Sequence, residues 1–400
     1  MGNSKTNYTV PFIIMSFLLF LLGFVTWMNG VLVPFLQKLY DLEPAVAQLV
    51  NAAFFSAYIF SIPVGGFVKK IGYKKSVIIG SLITGIGSLL FIPAVTAGFG
   101  MFLFALFVSA VGIVLLQVAA NPYVIAMGSP ETSSARLTLA MAVNSAAAVL
   151  APVVGTGLIL SQVTGDPAAD AMLAKPVYYV LGGVAVITGV LLYFMKLPAI
   201  ADSSEDTNSG SHRSAWSYPH LIMGFIAIGM YMGLEVGVNS FLFRYMETKI
   251  GLDADSIKFF MGVYPFGFVV GRLAGAGILN KFSPNKVLAI SSLLGALMIL
   301  VTVSTTGMVS LGAILATGLF HSIMWSVIFD LSLKDVAPGA AKLGSGILCT
   351  GVVFVGLWTY VMGSIEAISN ISTAYMVLWV FYAFIIFFAL KGAKIRRQVA

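Results

Sequence analysis

Three uncharged amides, Gln117, Asn121 and Asn144, stand between positions 115 and 155 in a stretch otherwise dominated by Ala, Val and Leu. Against lipid an unpaired amide costs several kcal/mol, so such groups face a helix-bundle interior or a water-filled cavity. An amide carries both donors and acceptors, which suits a solute rich in hydroxyls; the same groups could equally bond helix to helix. Asn121 precedes Pro122, which removes a helix hydrogen bond, and could instead cap that kink. A carboxylate, Glu235, lies deep in a later apolar stretch, with Asn239 one turn further along the same face. Near a membrane midplane an ionised carboxylate must be neutralised by a proton, a metal ion or a cationic partner. Glu235 reads first as a coupling or substrate group; the structural alternatives are an ion pair with Arg272, inside the next apolar stretch, or a protonated, hydrogen-bonded carboxyl. Trp27, Trp325 and Trp358 could stack on the apolar face of a ring-shaped solute, Trp325 best placed of the three. His321 could titrate near neutral pH but, lone at a helix end, reads as packing. No His/Asp/Glu metal cluster, nucleophile–base pair or phosphate loop is found, so the sequence reads as neither an enzyme nor a cofactor protein.

The elements that must carry these groups follow from composition. The 400-residue chain is 59% hydrophobic and 9% charged, with mean hydropathy +0.99. A soluble domain is roughly a quarter charged, so the solvent for this surface is lipid. The net charge of +7 is spread over helix ends rather than gathered on one face, which excludes a nucleic-acid footprint. With Cys349 alone, no disulfide can form within the chain. The first apolar run, 11–36, is too long for a signal-peptide core and is expected to stay as a membrane helix.

Runs of about 20 apolar residues count out as twelve spans. The first six fall near 11–36, 47–69, 75–97, 99–128, 134–162 and 176–196. The second six fall near 219–246, 256–280, 285–306, 308–333, 341–368 and 371–391. The expected organisation is a six-helix bundle over 1–197, a polar linker over 198–218 and a second six-helix bundle over 219–400. Lys and Arg crowd the segments that are cytoplasmic if both termini are, including Lys69, Lys70, Lys74, Lys75 and Arg136; the other side holds Lys38, Lys175, Arg244, Lys249 and Lys258. That bias predicts cytoplasmic termini. The halves also repeat. GGFVKKIGYKKS at 65–76 answers GAGILNKFSPNKV at 275–287, and Lys342-Leu343 stand where Arg136-Leu137 stood. Two repeated halves suggest bundles facing each other across a central path.

These residues resemble the major facilitator superfamily, and within it the fucose–galactose–glucose symporters. The 65–75 turn resembles the superfamily's loop between helices two and three. LLQVAANPYV at 115–124 is similar to the symporters' helix-four signature, and SPETSSARLTLAMAVNS at 129–145 to the start of their helix five. YMGLEVGVNSFLFRYM at 231–246 resembles helix seven of the glucose/galactose branch, and Gly271-Arg272 and SIMWSVIF at 322–329 fit as well. The resemblance implies an all-α membrane protein, twelve transmembrane helices in two six-helix bundles, importing a neutral hexose across a bacterial inner membrane by cation-coupled alternating access. The alternatives are a uniporter, or a facilitator for drugs or other solutes. Its partners would be a sugar and the lipid bilayer, with no nucleic acid, and it is expected to work as a monomer.

The resemblance carries substrate contact onto Gln117, Asn144, Asn121, Asn29, Glu235, Asn239 and Trp325. It also marks departures. Fucose-transporting members have an Asn-Asp pair in helix one, the acid carrying the proton; here the pair is Asn29-Gly30. Their helix-four glutamate is Gln117, as in the glucose/galactose branch, and an expected helix-five glutamine is Met141. Glu235 is left as the deep group that can change charge, taking up a proton or ligating Na⁺. Sodium is favoured slightly, because it takes oxygen ligands without a tuned pKa and the branch includes Na⁺-coupled members. Gly72 and Lys70 in the tight turn, Arg136, Arg272 and Asp330 are assigned to gating or structure, Asp330 in a gate ion pair.

Overall fold

The computed structural model describes residues 8–195 and 214–395. Most of the 198–218 linker and the terminal basic residues lie outside them. Among the described residues there are no strands, and twelve helices are long and apolar enough to cross a membrane. We number them α1 (Thr9–Leu39), α2 (Leu49–Ile71), α3 (Tyr73–Ala97), α4 (Phe99–Ala126), α5 (Pro130–Gln162), α6 (Ala169–Phe194), α7 (Pro219–Ile250), α8 (Asp255–Leu279), α9 (Pro284–Ser304), α10 (Gly307–Leu333), α11 (Pro338–Ile368) and α12 (Ile371–Lys394). The expected spans coincide with these to within a few residues. The largest departure is at α6, expected from 176 and beginning at Ala169. There the Asp170 carboxylate accepts from the amides of Thr164 (2.7 Å) and Gly165 (2.9 Å), organising a short helical segment ahead of the apolar run.

Local chemistry sets the helix ends. Pro130, Pro219, Pro284 and Pro338 each stand at a first helical position, where a missing N–H costs nothing. Asp253 caps α8, accepting from the amides of Ser256 and Asp255 at 3.0 Å each. Those bonds, Ser256's first, hold its carboxyl below the usual carboxylate range. Between α2 and α3 the chain turns at Gly72 with φ +82°, a conformation open to glycine and strained for a side chain. Phe194, Val153 and Phe259, more than two thirds exposed, point outward where lipid would lie.

Helices α1–α6 pack among themselves, chiefly α3 on α4 and α6 and α1 on α5; α7–α12 do so through α9 on α10 and α12 and α7 on α12. The two sets meet where α5 packs on α8 and α10, and α11 on α2 and α4. This seam lies toward the end that carries the linker. It is closed by backbone as much as by side chains: a Cβ on Gly346 of α11 would stand 2.3 Å from the carbonyl oxygen of Ser61 and 3.0 Å from the Cα of Gly65, both on α2. The Ser345 hydroxyl donates to the carbonyl of Val118 in α4 (2.7 Å). Both seam helices change character just above this contact, α2 at the 3-10 turn Ala57–Phe60 and α11 at the 3-10 turn Gly351–Val353.

The fit at Gly346 yields a first prediction. Gly346→Ala must push α11 off α2, an overpacking cost of about 1–3 kcal/mol. That should raise the population with an open seam by roughly ten-fold. The reporter is a cysteine at Thr138, fully buried on α5, in a Cys349→Ala background of the purified protein. Its maleimide labelling should accelerate with Gly346→Ala; an unchanged rate means that this contact does not hold the seam.

Candidate functional site

Above the seam, between the two sets of helices, lies a cavity of about 720 Å³. That is within the usual range for small-molecule sites. α1 contributes Trp27, Asn29 and Gly30; α2 Asn51 and Tyr58, with Gln48 just ahead of its first residue; α4 Gln117; and α5 Met141, Asn144 and Ser145. From the other half come Tyr231, Glu235, Asn239 and Ser240 of α7, Tyr264, Phe268 and Arg272 of α8, Trp325 of α10 and Thr359 of α11. Asn29, Gln117, Asn144 and Trp325 are buried at depth, whereas Gln48 and Ser240 are exposed, so the cavity opens at the end opposite the seam.

The deep polar groups are held in specific ways. The Oε1 of Gln117 accepts from the hydroxyl of Tyr58 at 2.8 Å. Asn144 donates through Nδ2 to the Leu19 carbonyl of α1 at 2.7 Å. Both amide atoms of Asn29 and the Nε1 of Trp325 are buried without a hydrogen-bond partner, donors and acceptors that a solute would satisfy. The Trp325 ring stacks on Phe329 (5.9 Å between centroids) and lies tilted against Tyr231 (6.2 Å). Gly30 also faces the cavity, and a Cβ there would meet nothing within 4 Å.

Glu235 and Arg272 are the charged residues of the lining. They do not form the ion pair that the sequence left open: among the described residues the ion pairs are Arg244–Glu366 and Lys258–Asp255. Arg272 directs its donors at the floor instead. Its Nε donates to the Ser322 carbonyl (2.9 Å), and its Nη1 to the Met141 carbonyl (2.8 Å) and the Ser145 hydroxyl, both on α5. The guanidinium lies 5.3 Å from the Phe268 ring centroid. Glu235 is half-buried, with Tyr231 between it and Arg272 in electrostatic reach of both. The Tyr264 hydroxyl donates to the Glu235 backbone carbonyl (3.3 Å) and lies 3.0 Å from Nδ1 of His321. His321 Nε2 meets the Tyr382 hydroxyl at 2.5 Å, so both ring nitrogens are engaged.

Of the candidate contacts, Asn29, Gln117, Asn144, Glu235, Asn239 and Trp325 are brought together around this cavity, and Asn121 is not. Asn121 lies one turn nearer the linker end than Gln117, at the level where Ser345 meets Val118, fully buried with neither amide atom bonded. The kink-capping alternative fails with it. Asp330 closes the seam without an ion pair: Oδ2 accepts from the hydroxyls of Ser133 (2.8 Å) and Ser134 in the first turn of α5. Arg136 and Lys334 stand in electrostatic reach of the carboxylate, beyond ion-pair distance. Arg136 gathers the carbonyls of Ile125 (2.6 Å), Val124 (3.4 Å) and Ser129 (2.8 Å), fixing the α4–α5 turn. Lys70 is exposed at the end of α2, next to the buried Gly72. Trp358 donates to the Gly229 carbonyl at 2.9 Å and packs on Phe381, a structural role. Sequence reasoning missed Tyr58, Tyr231 and Tyr264. The spacing of Tyr231, Glu235 and Asn239, four residues apart on one helix face, was a usable signal for the second of these; a lone tyrosine at 58 offered none.

Residues 15–385 match the family model of the Major Facilitator Superfamily. A glucose/galactose transporter of Brucella abortus (strain 9-941) is 35% identical over 98% of this chain and 96% of that protein. The L-fucose-proton symporter of Escherichia coli K12 is 30% identical over 100% of this chain and 95% of that protein. Among solved structures, the transporter FucP in the outward conformation superposes with TM-score 0.87 at 29% identity, covering 96% of this chain and 98% of that one.

The Asp330 contacts carry a prediction of their own. Asp330→Ala leaves the Ser134 hydroxyl without its acceptor, while Ser133 keeps the Pro130 carbonyl, and should lower stability by about 1–3 kcal/mol. Asp330→Asn, which keeps an acceptor oxygen, should lose less than half of that. Thermal unfolding of the purified variants orders them; equal loss in both would assign the effect to charge rather than to the hydroxyl bonds.

Proposed function

The chain belongs to the Major Facilitator Superfamily, and on that premise we propose that it imports a neutral hexose of glucose or galactose type by cation-coupled alternating access. The observation that carries the proposal is the cavity itself. It lies between the first six and the last six helices, is sealed at one end, and presents uncharged amides and an indole at depth. Uncharged donors and acceptors beside an aromatic face suit a pyranose. The relatives named for glucose, galactose and fucose support the sugar class. The fold requires the bilayer as its solvent, and the bacterial relatives support an inner-membrane location. With the basic residues and both termini on the cytoplasmic side, the seam is the inner gate and the cavity is open outward. The two six-helix halves, 1–197 and 219–400, then rock about the binding site within a single chain. Opening the seam while α1, α2, α7 and α11 close over Gln48 and Thr359 would deliver the sugar inward.

Coupling falls to Glu235, the single carboxylate of the lining. The sequence leaned to Na⁺. One lone acid in the cavity suits a single proton better than a cation needing several oxygen ligands, and a 30% identical relative is named a proton symporter; we therefore place H⁺ ahead of Na⁺. Asn239, one turn nearer the mouth, is a further polar contact for the incoming sugar.

Two outcomes test this reading. Gln117→Ala removes one solute hydrogen bond and should weaken hexose binding by roughly ten-fold, read from ligand-induced thermal shifts of the purified protein. Hydrophobic cations in the same screen should give no shift; a cation shift without a hexose shift would make this a drug facilitator. In proteoliposomes, Glu235→Gln should abolish gradient-driven accumulation while sparing sugar exchange. Uptake under a pH gradient without Na⁺ supports the proton; uptake under a Na⁺ gradient alone reverses that choice. Equilibration indifferent to both would make the protein a uniporter.

A further inference from the structure

The hydrogen bonds behind the cavity wall decide which atoms its amides can offer. Tyr58 is buried, and its hydroxyl meets the Oε1 of Gln117 at 2.8 Å. A buried phenolic O–H needs an acceptor. If Gln117 turned its NH₂ toward Tyr58, both groups would be donors and the phenol proton would lose its acceptor. The amide is therefore fixed with its oxygen toward α2 and its two N–H donors left for the cavity. At Asn144 the partner is a backbone carbonyl, that of Leu19, which can only accept. One Nδ2–H is spent there, and Oδ1, an acceptor with no partner among the described residues, is left for the cavity, the opposite polarity. Both residues line the cavity, and both are buried side chains whose remaining polar atoms have no other partner to choose.

We infer that Tyr58 is a positioning residue that presents Gln117 to the cavity through its N–H donors, set against Asn144, which presents its Oδ1 acceptor, so that the site reads the direction of the hydrogen bonds at two sugar hydroxyls. One hydroxyl must accept from Gln117 and another must donate to Asn144. The geometry depends on the 3-10 turn Ala57–Phe60, which interrupts α2 where the tyrosine faces α4. The inference rests on the hexose reading above, and the two can fail separately.

The test uses mono-deoxy and mono-deoxyfluoro hexoses with the purified full-length protein, binding measured by titration calorimetry. Fluorine can accept a hydrogen bond and cannot donate one. In the unmodified protein one ring position should tolerate fluorine, binding roughly ten-fold better than its deoxy counterpart. At a second position fluorine should be as poor as hydrogen. Tyr58→Phe frees the Gln117 amide to rotate. The fluoro-to-deoxy ratio at the first position should then fall to about one, with the second position unmoved. A merely structural loss would weaken all sugars alike and leave that ratio standing, which overturns the proposal. Gln117→Leu provides an independent arm with Tyr58 intact: it has no donor to offer, so the fluorine advantage should vanish there too. Its persistence in Gln117→Leu would place the donor elsewhere and overturn the assignment. If the unmodified protein binds no hexose, the hexose reading itself falls; if it binds hexoses but tolerates fluorine nowhere, the polarity inference alone falls.

Discussion

The guanidinium of Arg272 is the interaction on which the site depends. It cannot release its charge, so it must be satisfied wherever the fold places it, and it is buried at the cavity floor. Its bonds to the Ser322 carbonyl on one side and to the Met141 carbonyl and Ser145 on the other tie α8 and α10 to α5. With Nε and Nη1 taken by carbonyl and hydroxyl oxygens, Arg272 stops short of an ion pair with Glu235 and reaches it through its field, beside Tyr231. The floor and the cavity carboxylate are one arrangement seen from two sides.

The seam below that floor is built from interactions that come apart cheaply. A neutral hydrogen bond contributes a net 0.5–1.5 kcal/mol or so and one to a charged group about 1.5–3; across the halves Ser345 to Val118 is of the first kind, and Ser133 and Ser134 to the Asp330 carboxylate are of the second. The Gly346 contact adds close backbone packing, which is lost on separation without leaving a hole in either half. Each half, by contrast, is knit by long close-packed interfaces such as α3 on α4, where Gly80, Gly87 and Gly112 bring the backbones together. That contrast between a few polar contacts across the halves and continuous close packing within them suits the proposed gate. Asn121 sharpens it: buried in the closed seam with neither amide atom bonded, it gains partners when water reaches it.

Much of this was legible in the chain. Hydrophobic run lengths gave the twelve helices, and four-residue spacing put Glu235 and Asn239 on one face. What periodicity reports is the face of a helix, not the level along it at which a distant helix arrives. Asn121 shares its face with Gln117 and was taken with it; a single turn of rise separates cavity from seam, and that boundary is set by where α11 crosses α4. Asp330 was read as half of an ion pair because its charge is visible in the sequence, while the two serine hydroxyls that serve it lie nearly two hundred residues away. Tyr58 was invisible for the complementary reason. Its role comes from a local 3-10 turn in α2, and nothing in its apolar neighbours distinguishes it from a packing tyrosine.

Gly30 has an evolutionary consequence. Side chains at most buried positions are held in place by their neighbours, so a change there has to be matched by others before it can spread. At Gly30 a Cβ meets nothing within 4 Å, and the helix-one acid of the fucose-transporting relatives would stand at this position. The Cβ of an aspartate would therefore displace no neighbouring atom here. On the proposal that Glu235 couples, this position could gain or lose a second acid while the packing around it and the proposed sugar contacts are held constant.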